Sequence, residues 1–197
     1  MGRPPKAMIT VACAVLCLVF SAIPAGAAPP SPPFKQCPAI GVDTSCEILI
    51  VVNQNGTVTA LQDPSQPPYD ASEDTLLGVQ NDSSFNLSMI HLSGVLTQAD
   101  PFAPYDFDGD GICTNAPPFP GMPAGCPFGP TGYEGPGTSF ANISADKLSG
   151  DVVFTNGLAP GASAYFSLEG TIDVGVDNGV PTNIVIVLPF ANAVCKG

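Results

Sequence analysis

The chain contains no tryptophan, one histidine and only five lysine and arginine residues in a length of 197. So few basic residues argue against nucleic-acid binding, because contacts with phosphates need clusters of lysine and arginine. The chain has 17 aspartate and glutamate residues, and such an acidic surface repels anionic lipid and favours cations or cationic partners. The absence of tryptophan removes the best stacking platform for sugars and leaves tyrosine and phenylalanine for that task.

The scarcity of histidine limits the kinds of catalytic site and zinc site that the chain could form. His91 is the only histidine, and it lies between Ile90 and Leu92 on a predicted strand. A Ser-His-Asp site needs a nucleophile and an acid beside the histidine, and no motif indicates either. A zinc site needs closely spaced Cys or His ligands, which the chain lacks. We therefore expect His91 to be a strand-face residue, and we predict no catalytic residue.

Residues 1–27 have the pattern of a secretory signal peptide. Arg3 and Lys6 precede an apolar run at residues 7–23, and an Ala-Gly-Ala sequence at residues 25–27 forms a small-residue cleavage site. Pro24 ends the apolar run at a length that is marginal for crossing a bilayer. We predict that the mature chain is secreted and has no membrane association after cleavage.

Five of the seven cysteines lie beyond the predicted signal peptide. Export places them in an oxidising compartment, where disulfides are the default. Proximity in sequence favours the pairs Cys37 with Cys46 and Cys113 with Cys126, which leaves Cys195 unpaired. Pairing of Cys195 with Cys37 or Cys46 is the main alternative, and the sequence does not decide between them.

Strand patterns dominate the mature chain. Residues 47–52 are apolar on both faces, as in a strand buried between layers, and Asn55-Gly56 marks a hairpin turn after them. We expect residues 75–80 and 85–92 to form a strand pair, with a β-bulge near Met89 where the apolar phase changes. The further predicted strands are residues 57–61, 139–144, 151–155, 163–169, 172–176 and 183–188. This pattern predicts an all-β fold, a single antiparallel β-sandwich of the Ig-like or jelly-roll-like type.

The domain is expected to cover residues 46–197, after an extended proline-rich lead-in at residues 28–45. Residues 100–137 interrupt the strands with a long insertion rich in proline, glycine and aspartate. Such a long insertion in a compact domain usually carries a function, a metal site or a disulfide. A metal motif and a cysteine pair both occur here.

The metal motif is a row of three aspartates at alternating positions. Asp106, Asp108 and Asp110, followed by Gly111 and by the carbonyl of Ile112, match the opening of an EF-hand calcium loop. Three carboxylates on one turn repel each other unless a hard cation neutralises them. Pro117 occupies the twelfth position, where a Glu normally closes the shell, so further ligands must come from elsewhere. Glu134 is our prediction for one of them, with Asp100 and Asp146 as other candidates, and a solvated Asp-Gly turn is the alternative.

Six short motifs occur in a characteristic order in the mature chain. They are CPAIG at residues 37–41 with Cys46, GVQNDS at 78–83, FDGDGIC at 107–113, GYEGPGTSF at 132–140, GLAPGAS at 157–163 and YFSLE at 165–169. The set resembles a group of uncharacterised secreted bacterial proteins, and this resemblance implies secretion but no activity. Several members of that group end in a C-terminal sorting anchor. Nothing after Leu188 forms a hydrophobic helix followed by basic residues, so we expect a freely secreted product.

These observations predict a non-enzymatic extracellular β-sandwich, stabilised by calcium, with a surface, matrix or adhesion role and an extracellular protein or glycan as its partner. Two alternatives stay open: a carboxylate-dependent polysaccharide hydrolase and a lectin-like glycan-binding module. Two acids about 5–10 Å apart in a concave groove favour the hydrolase. Isolated acids on convex turns favour the binding module.

Overall fold

The computed structural model describes residues 29–72, 74–94, 128–129, 132–170 and 184–187. Within these ranges there are eight strands and no helix. The strands are β1 (Ile48–Val52), β2 (Val58–Gln62), β3 (Thr75–Asn81), β4 (Leu87–Gly94), β5 (Thr138–Ala141), β6 (Ser149–Leu158), β7 (Ser163–Leu168) and β8 (Ile184–Val187). They form two packed four-stranded sheets, which confirms the predicted all-β sandwich. In the described part of the chain, no helix is long and apolar enough to cross a membrane.

The first sheet has the strand order β2-β1-β3-β7 and is built around β1. Every residue of β1 is buried, as its apolar residues on both faces predicted. Asn53 and Gly56 close the β1–β2 hairpin: the Asn53 amide donates to the Thr57 carbonyl, and Gly56 adopts a φ of 79°. The hairpin predicted from Asn55-Gly56 is thus confirmed.

The second sheet has the strand order β5-β6-β4-β8, and one face of it packs on the first sheet. Ile48, Ile50 and Val52 of β1 enter the core between the sheets, together with Ile90 and Leu92 of β4. The remaining buried members of this core are Leu77, Val79, Leu87, Val152, Phe154, Leu158, Phe166 and Leu168. Phe140 and Phe166 meet edge to face across the two sheets, with ring centroids 6.0 Å apart.

A second core lies on the outer face of the first sheet. Leu49 and Val51 of β1 point there, because alternate residues of a strand face opposite sides. This core is covered by residues 34–46, which we call the N-terminal cover. Phe34 and Ile40 of the cover are each only 2 % exposed. Residues 34–45 of the segment that was predicted to be an extended lead-in are therefore packed on the sheet.

The pairing of β3 and β4 differs from the sequence-based expectation. β3 pairs with β1 and β7 in the first sheet, whereas β4 pairs with β6 and β8 in the second. The predicted pair between these two strands is therefore wrong, since the chain crosses between sheets there. β1 and β3 run parallel, so the sandwich is not purely antiparallel. The predicted bulge is confirmed by a register shift between Leu87 and Met89.

Asn81 holds two of the connections that cross between the sheets. Its fully buried side chain donates from Nδ2 to the carbonyls of Phe85 and Leu158, both at 2.8 Å. Its Oδ1 accepts from the backbone amide of Ser83 at 3.1 Å and from the Ser83 hydroxyl at 2.6 Å. The Asn81 carbonyl accepts from the amide of Gly161 at 2.6 Å. One side chain thus ties the β3–β4 connection to the β6–β7 connection.

Replacement of Asn81 by alanine is expected to lower the free energy of unfolding by about 3 kcal/mol, because two buried carbonyls and the Ser83 amide lose their partner. The matched control is Asn86→Ala, since Asn86 is exposed and makes one long 3.3 Å bond to the Asn156 carbonyl. That change is expected to cost less than about 0.5 kcal/mol. Urea denaturation measures both, and equal losses would contradict the role given to Asn81.

Gly78 of β3 makes room for the disulfide that ties down the cover. Cys37 and Cys46 are bonded, which confirms the predicted pair, and Cys46 is fully buried. A Cβ added to Gly78 would lie 2.5 Å from the Cys46 Sγ and 3.2 Å from the Gln36 Cβ. Only glycine at this position therefore lets the disulfide rest directly on the sheet.

Gly78→Ala is expected to destabilise the protein by about 1–3 kcal/mol through overpacking. In a Cys37→Ala/Cys46→Ala background the same substitution should cost clearly less, because the crowded sulfur is gone. Chemical denaturation of the four proteins gives the double-mutant cycle. An identical cost of Gly78→Ala in both backgrounds would rule out the proposed contact.

Candidate functional site

Most of the predicted calcium site lies outside the described residues. This holds for Asp106, Asp108, Asp110 and Ile112, and also for the predicted disulfide between Cys113 and Cys126. Their assignment stays a prediction. Two of the candidate ligands are described. Asp146 is exposed and accepts hydrogen bonds from the Ser144 hydroxyl at 2.6 Å and the Leu148 amide at 3.2 Å, and Glu134 is buried.

Glu134 is a buried carboxylate in the wall of an open cavity. The residue is 7 % exposed, and its carbonyl accepts a 2.7 Å hydrogen bond from the Gly129 amide. The cavity has a volume of about 320 Å³. Its described lining is Phe128, Gly129, Glu134, Gly135, Pro136, Thr138, Ser139 and Phe140. Glu134 is the only acidic residue in that lining, so the described wall carries one acid and not the pair that a glycosidase needs.

No three His, Cys, Asp or Glu side chains within the described ranges are grouped so that they could hold a metal ion. Any calcium ion at Glu134 would depend on the Asp106, Asp108 and Asp110 loop for its remaining charge.

A group of three buried acids, which the sequence analysis missed, lies where the N-terminal cover meets the first sheet. Asp43 belongs to the cover, Glu47 directly precedes β1, and Asp63 directly follows β2. They are 1 %, 5 % and 3 % exposed. The Asp63 amide donates to the Glu47 carbonyl at 2.8 Å, which extends the β1–β2 hairpin by one pair. The register of the predicted hairpin is therefore the sequence signal that places Glu47 opposite Asp63.

Burial favours the protonated form of two of these acids, and repulsion by neighbouring charges adds to the effect at Asp43. Loss of hydration, reinforced by the nearby charges of Glu47 and Asp63, raises the pKa of Asp43 to about 7. Burial likewise raises the pKa of Glu47 to about 7, and hydrogen bonds from Gln62 and Thr75 oppose this rise. Both carboxyl groups therefore bind protons at a pH where exposed carboxylates are ionised.

Several oxygens around this group have no hydrogen-bond partner among the described residues. They are both carboxylate oxygens of Asp43, Oε2 of Glu47 and the hydroxyl of Ser45. Asp63, in contrast, accepts from the Ser65 amide at 3.1 Å and from the Ser65 hydroxyl at 2.6 Å. An ionised and unpartnered Asp43 would be costly in this environment, because a buried charge needs a partner.

Asp74 organises a second buried polar group on the outer side of the first sheet. Its carboxylate accepts from the hydroxyls of Tyr69 at 3.0 Å and Tyr133 at 3.4 Å. The Ser167 hydroxyl donates to the Tyr69 oxygen at 3.0 Å. Burial and the charge of Asp74 raise the pKa of Tyr69, so its hydroxyl stays protonated and keeps donating. These bonds join the loop after β2, the loop before β5 and strand β7.

His91 lies on β4, as predicted, and has a specific acidic partner. Its Nδ1 is 2.6 Å from Oδ1 of Asp151, which is the residue opposite it on β6. Asn142 donates to the other oxygen of Asp151 at 2.6 Å. The His91 side chain is 39 % exposed, whereas that of Asp151 is 7 % exposed. The sequence did not reveal this pair because the register between β4 and β6 depends on the bulge near Met89.

No family model, curated protein or solved structure matches this chain. The resemblance suggested by the six sequence motifs therefore stays a hypothesis. The structure does assign physical roles to five of them. CPAIG with Cys46 forms the disulfide, GVQNDS and GLAPGAS supply Asn81 and its partner Leu158, and GYEGPGTSF and YFSLE supply Tyr133 and Ser167 of the Asp74 group. The motif with no described structural role is FDGDGIC at residues 107–113.

Tyr69→Phe is expected to cost about 1–3 kcal/mol of unfolding free energy, because Asp74 loses its shorter hydrogen bond in a buried site. Tyr165→Phe is the matched control, since Tyr165 is half-buried and no hydrogen bond involves its hydroxyl in the described structure. The control should change stability by less than about 0.5 kcal/mol. Guanidinium denaturation compares the two, and a Tyr69 effect no larger than the control would contradict the assignment.

Proposed function

We propose that this protein is a secreted, non-enzymatic β-sandwich, stabilised by a calcium ion in its 100–137 insertion, with a binding role at a surface or in an extracellular matrix. Glu134 is the observation that carries the calcium assignment. It is a buried carboxylate that lines a cavity at the end of the insertion that contains Asp106, Asp108 and Asp110.

The chemistry of these ligands supports calcium. Three aspartates, the Ile112 carbonyl and Glu134 would supply oxygen ligands only, which suits a hard cation with six to eight ligands. Glutamate in particular can bind through both oxygens and replace the closing residue that Pro117 cannot provide. Such an ion would order the insertion and neutralise part of its negative charge.

Extracellular location is supported by the predicted signal peptide and by the Cys37–Cys46 disulfide. Both sulfur atoms belong to buried residues, and disulfides of this structural kind persist in oxidising compartments. The acidic surface, with a net charge of −12 for the full chain, would favour a partner with cationic groups.

A binding role is supported by the bonds of the described buried polar groups, which are made to other parts of the fold. Asn81 and Asp74 both satisfy backbone or side-chain partners within the fold. The described cavity wall has one carboxylate, Glu134, and a retaining or inverting glycosidase uses two. A glycan array tests the two alternatives with the purified protein. Binding without turnover of the bound polysaccharides would identify a lectin-like variant of this function. Turnover that is abolished by Glu134→Gln would support the hydrolase instead.

Calcium removal is expected to lower the melting temperature of the mature protein by several degrees, since a bound ion stabilises only the folded state. The measurement is a thermal melt in excess EDTA and in calcium, with isothermal titration calorimetry for binding. Asp106→Asn/Asp108→Asn should remove the calcium-dependent shift, and Glu134→Gln should weaken it.

The matched control for these changes is Asp82→Asn, which removes one exposed carboxylate outside the insertion. This variant should keep the full calcium-dependent shift. A midpoint that is unchanged by chelator in the unmodified protein, together with no heat of binding, would disprove the calcium assignment. A shift that survives in Asp106→Asn/Asp108→Asn would place the ion at other residues.

A further inference from the structure

The N-terminal cover is attached to the first sheet in three different ways. The Cys37–Cys46 disulfide, formed within the cover, lies directly on Gly78 of β3. Phe34 and Ile40 bury their side chains in the outer core, and the Val42 amide donates to the Tyr69 carbonyl at 2.9 Å. The third attachment is the group of three acids: Asp43 of the cover is buried, and Glu47 and Asp63 lie near enough for their negative charges to raise its pKa.

The apolar contacts and the disulfide do not change with pH, but the acidic contact does. Asp43 has both carboxylate oxygens buried and without a described partner. Its charged neighbours from the sheet are Glu47 and Asp63, both acidic. Lys35 is the only basic residue of the cover, and its ammonium group lies at the exposed Thr44 carbonyl, 3.4 Å away. The remaining groups that contact Glu47, the side chains of Gln62 and Thr75, are neutral.

We propose that Asp43 and Glu47, beside Asp63, form a proton-operated latch: the latch holds the N-terminal cover on the first sheet when these two carboxyl groups are protonated and loosens it when they are ionised. The released cover stays attached through the backbone between Cys46 and β1, and the Cys37–Cys46 bond limits how far residues 38–45 can move. Release of the cover exposes an apolar face formed by Leu49, Val51 and Leu76. Neutral conditions thus expose an apolar face that acidic conditions cover.

The direction of the effect follows from the raised pKa values. In the open state Asp43 and Glu47 regain ordinary pKa values near 4, whereas in the closed state both are about 7. The closed state is therefore fully favoured below about pH 4 and loses stability as the pH rises to about 7. In that window each group raises the opening constant by up to about tenfold per pH unit, and above it the effect levels off.

Hydrogen exchange with mass spectrometry tests the latch on the intact, disulfide-bonded mature protein. Exchange of peptides from residues 34–46 is compared at pH 5 and pH 7.5, after correction for the intrinsic pH dependence of exchange. We expect the opening constant of the cover to rise at least about tenfold, while β4 and β6 keep their protection. A fluorescent apolar dye should bind more strongly at pH 7.5 than at pH 5.

Asp43→Asn removes the charge at nearly the same volume and should flatten this pH dependence. Glu47→Gln should weaken it, which provides a second variant if Asp43→Asn folds poorly. Asp82→Asn, the exposed control, should behave as the unmodified protein does. Three results would overturn the proposal: pH-independent protection of the cover, the same pH dependence in Asp43→Asn, or loss of protection in β4 and β6 together with the cover.

A cation at the same acids would give a different result. Experiments in EDTA and in calcium at pH 7.5 separate the two cases, with Glu134→Gln/Asp106→Asn/Asp108→Asn as the background that lacks the proposed insertion site. If calcium closes the cover in that background and Asp43→Asn abolishes the closure, the three acids bind a cation and the proton latch is wrong. No response to calcium in that background supports the latch.

Discussion

The buried amide of Asn81 is the constraint on which the two-sheet arrangement depends. A sandwich has few places where the chain can pass from one sheet to the other, and each passage leaves backbone groups outside the ladders. Asn81 serves two of these passages at once, through Phe85 on one and Leu158 on the other. Its donors and its acceptor are both used, as a fully buried amide requires. These hydrogen bonds therefore help to fix the position of one sheet relative to the other.

Local patterns were sufficient to predict much of the fold. Apolar residues on both faces of β1, Asn55-Gly56 in the first turn and the phase change near Met89 each determine a feature through neighbours in sequence. The partners of β3 could not be predicted in this way. A strand pattern shows which faces are buried but not which strand lies alongside, so the crossing at Asn81 and the parallel β1–β3 pair were missed.

The candidate sites show the same division between local and distant information. The aspartate row at residues 106–110 is a local motif and can be recognised without a structure. The acidic group needs Asp43, Glu47 and Asp63 to be brought together by the cover and by the hairpin. Phe34 and Ile40 are single apolar residues among prolines and turns, without the periodicity that indicates a buried segment. Their burial, and hence that of Asp43, depends on contacts with the outer face of the first sheet. The sequence predicts the strands of that sheet only in part.

The position of the disulfide has a mechanical consequence. Tension applied at the N-terminus reaches Cys37 and passes through the sulfur bridge to Cys46, two residues before β1 begins. The residues between the two cysteines therefore carry no load. The force then enters β1, an inner strand that is hydrogen-bonded to β2 on one side and to β3 on the other. Extracting β1 along its axis would require both ladders to slide at once, so the N-terminal attachment point is the mechanically protected end of this sheet.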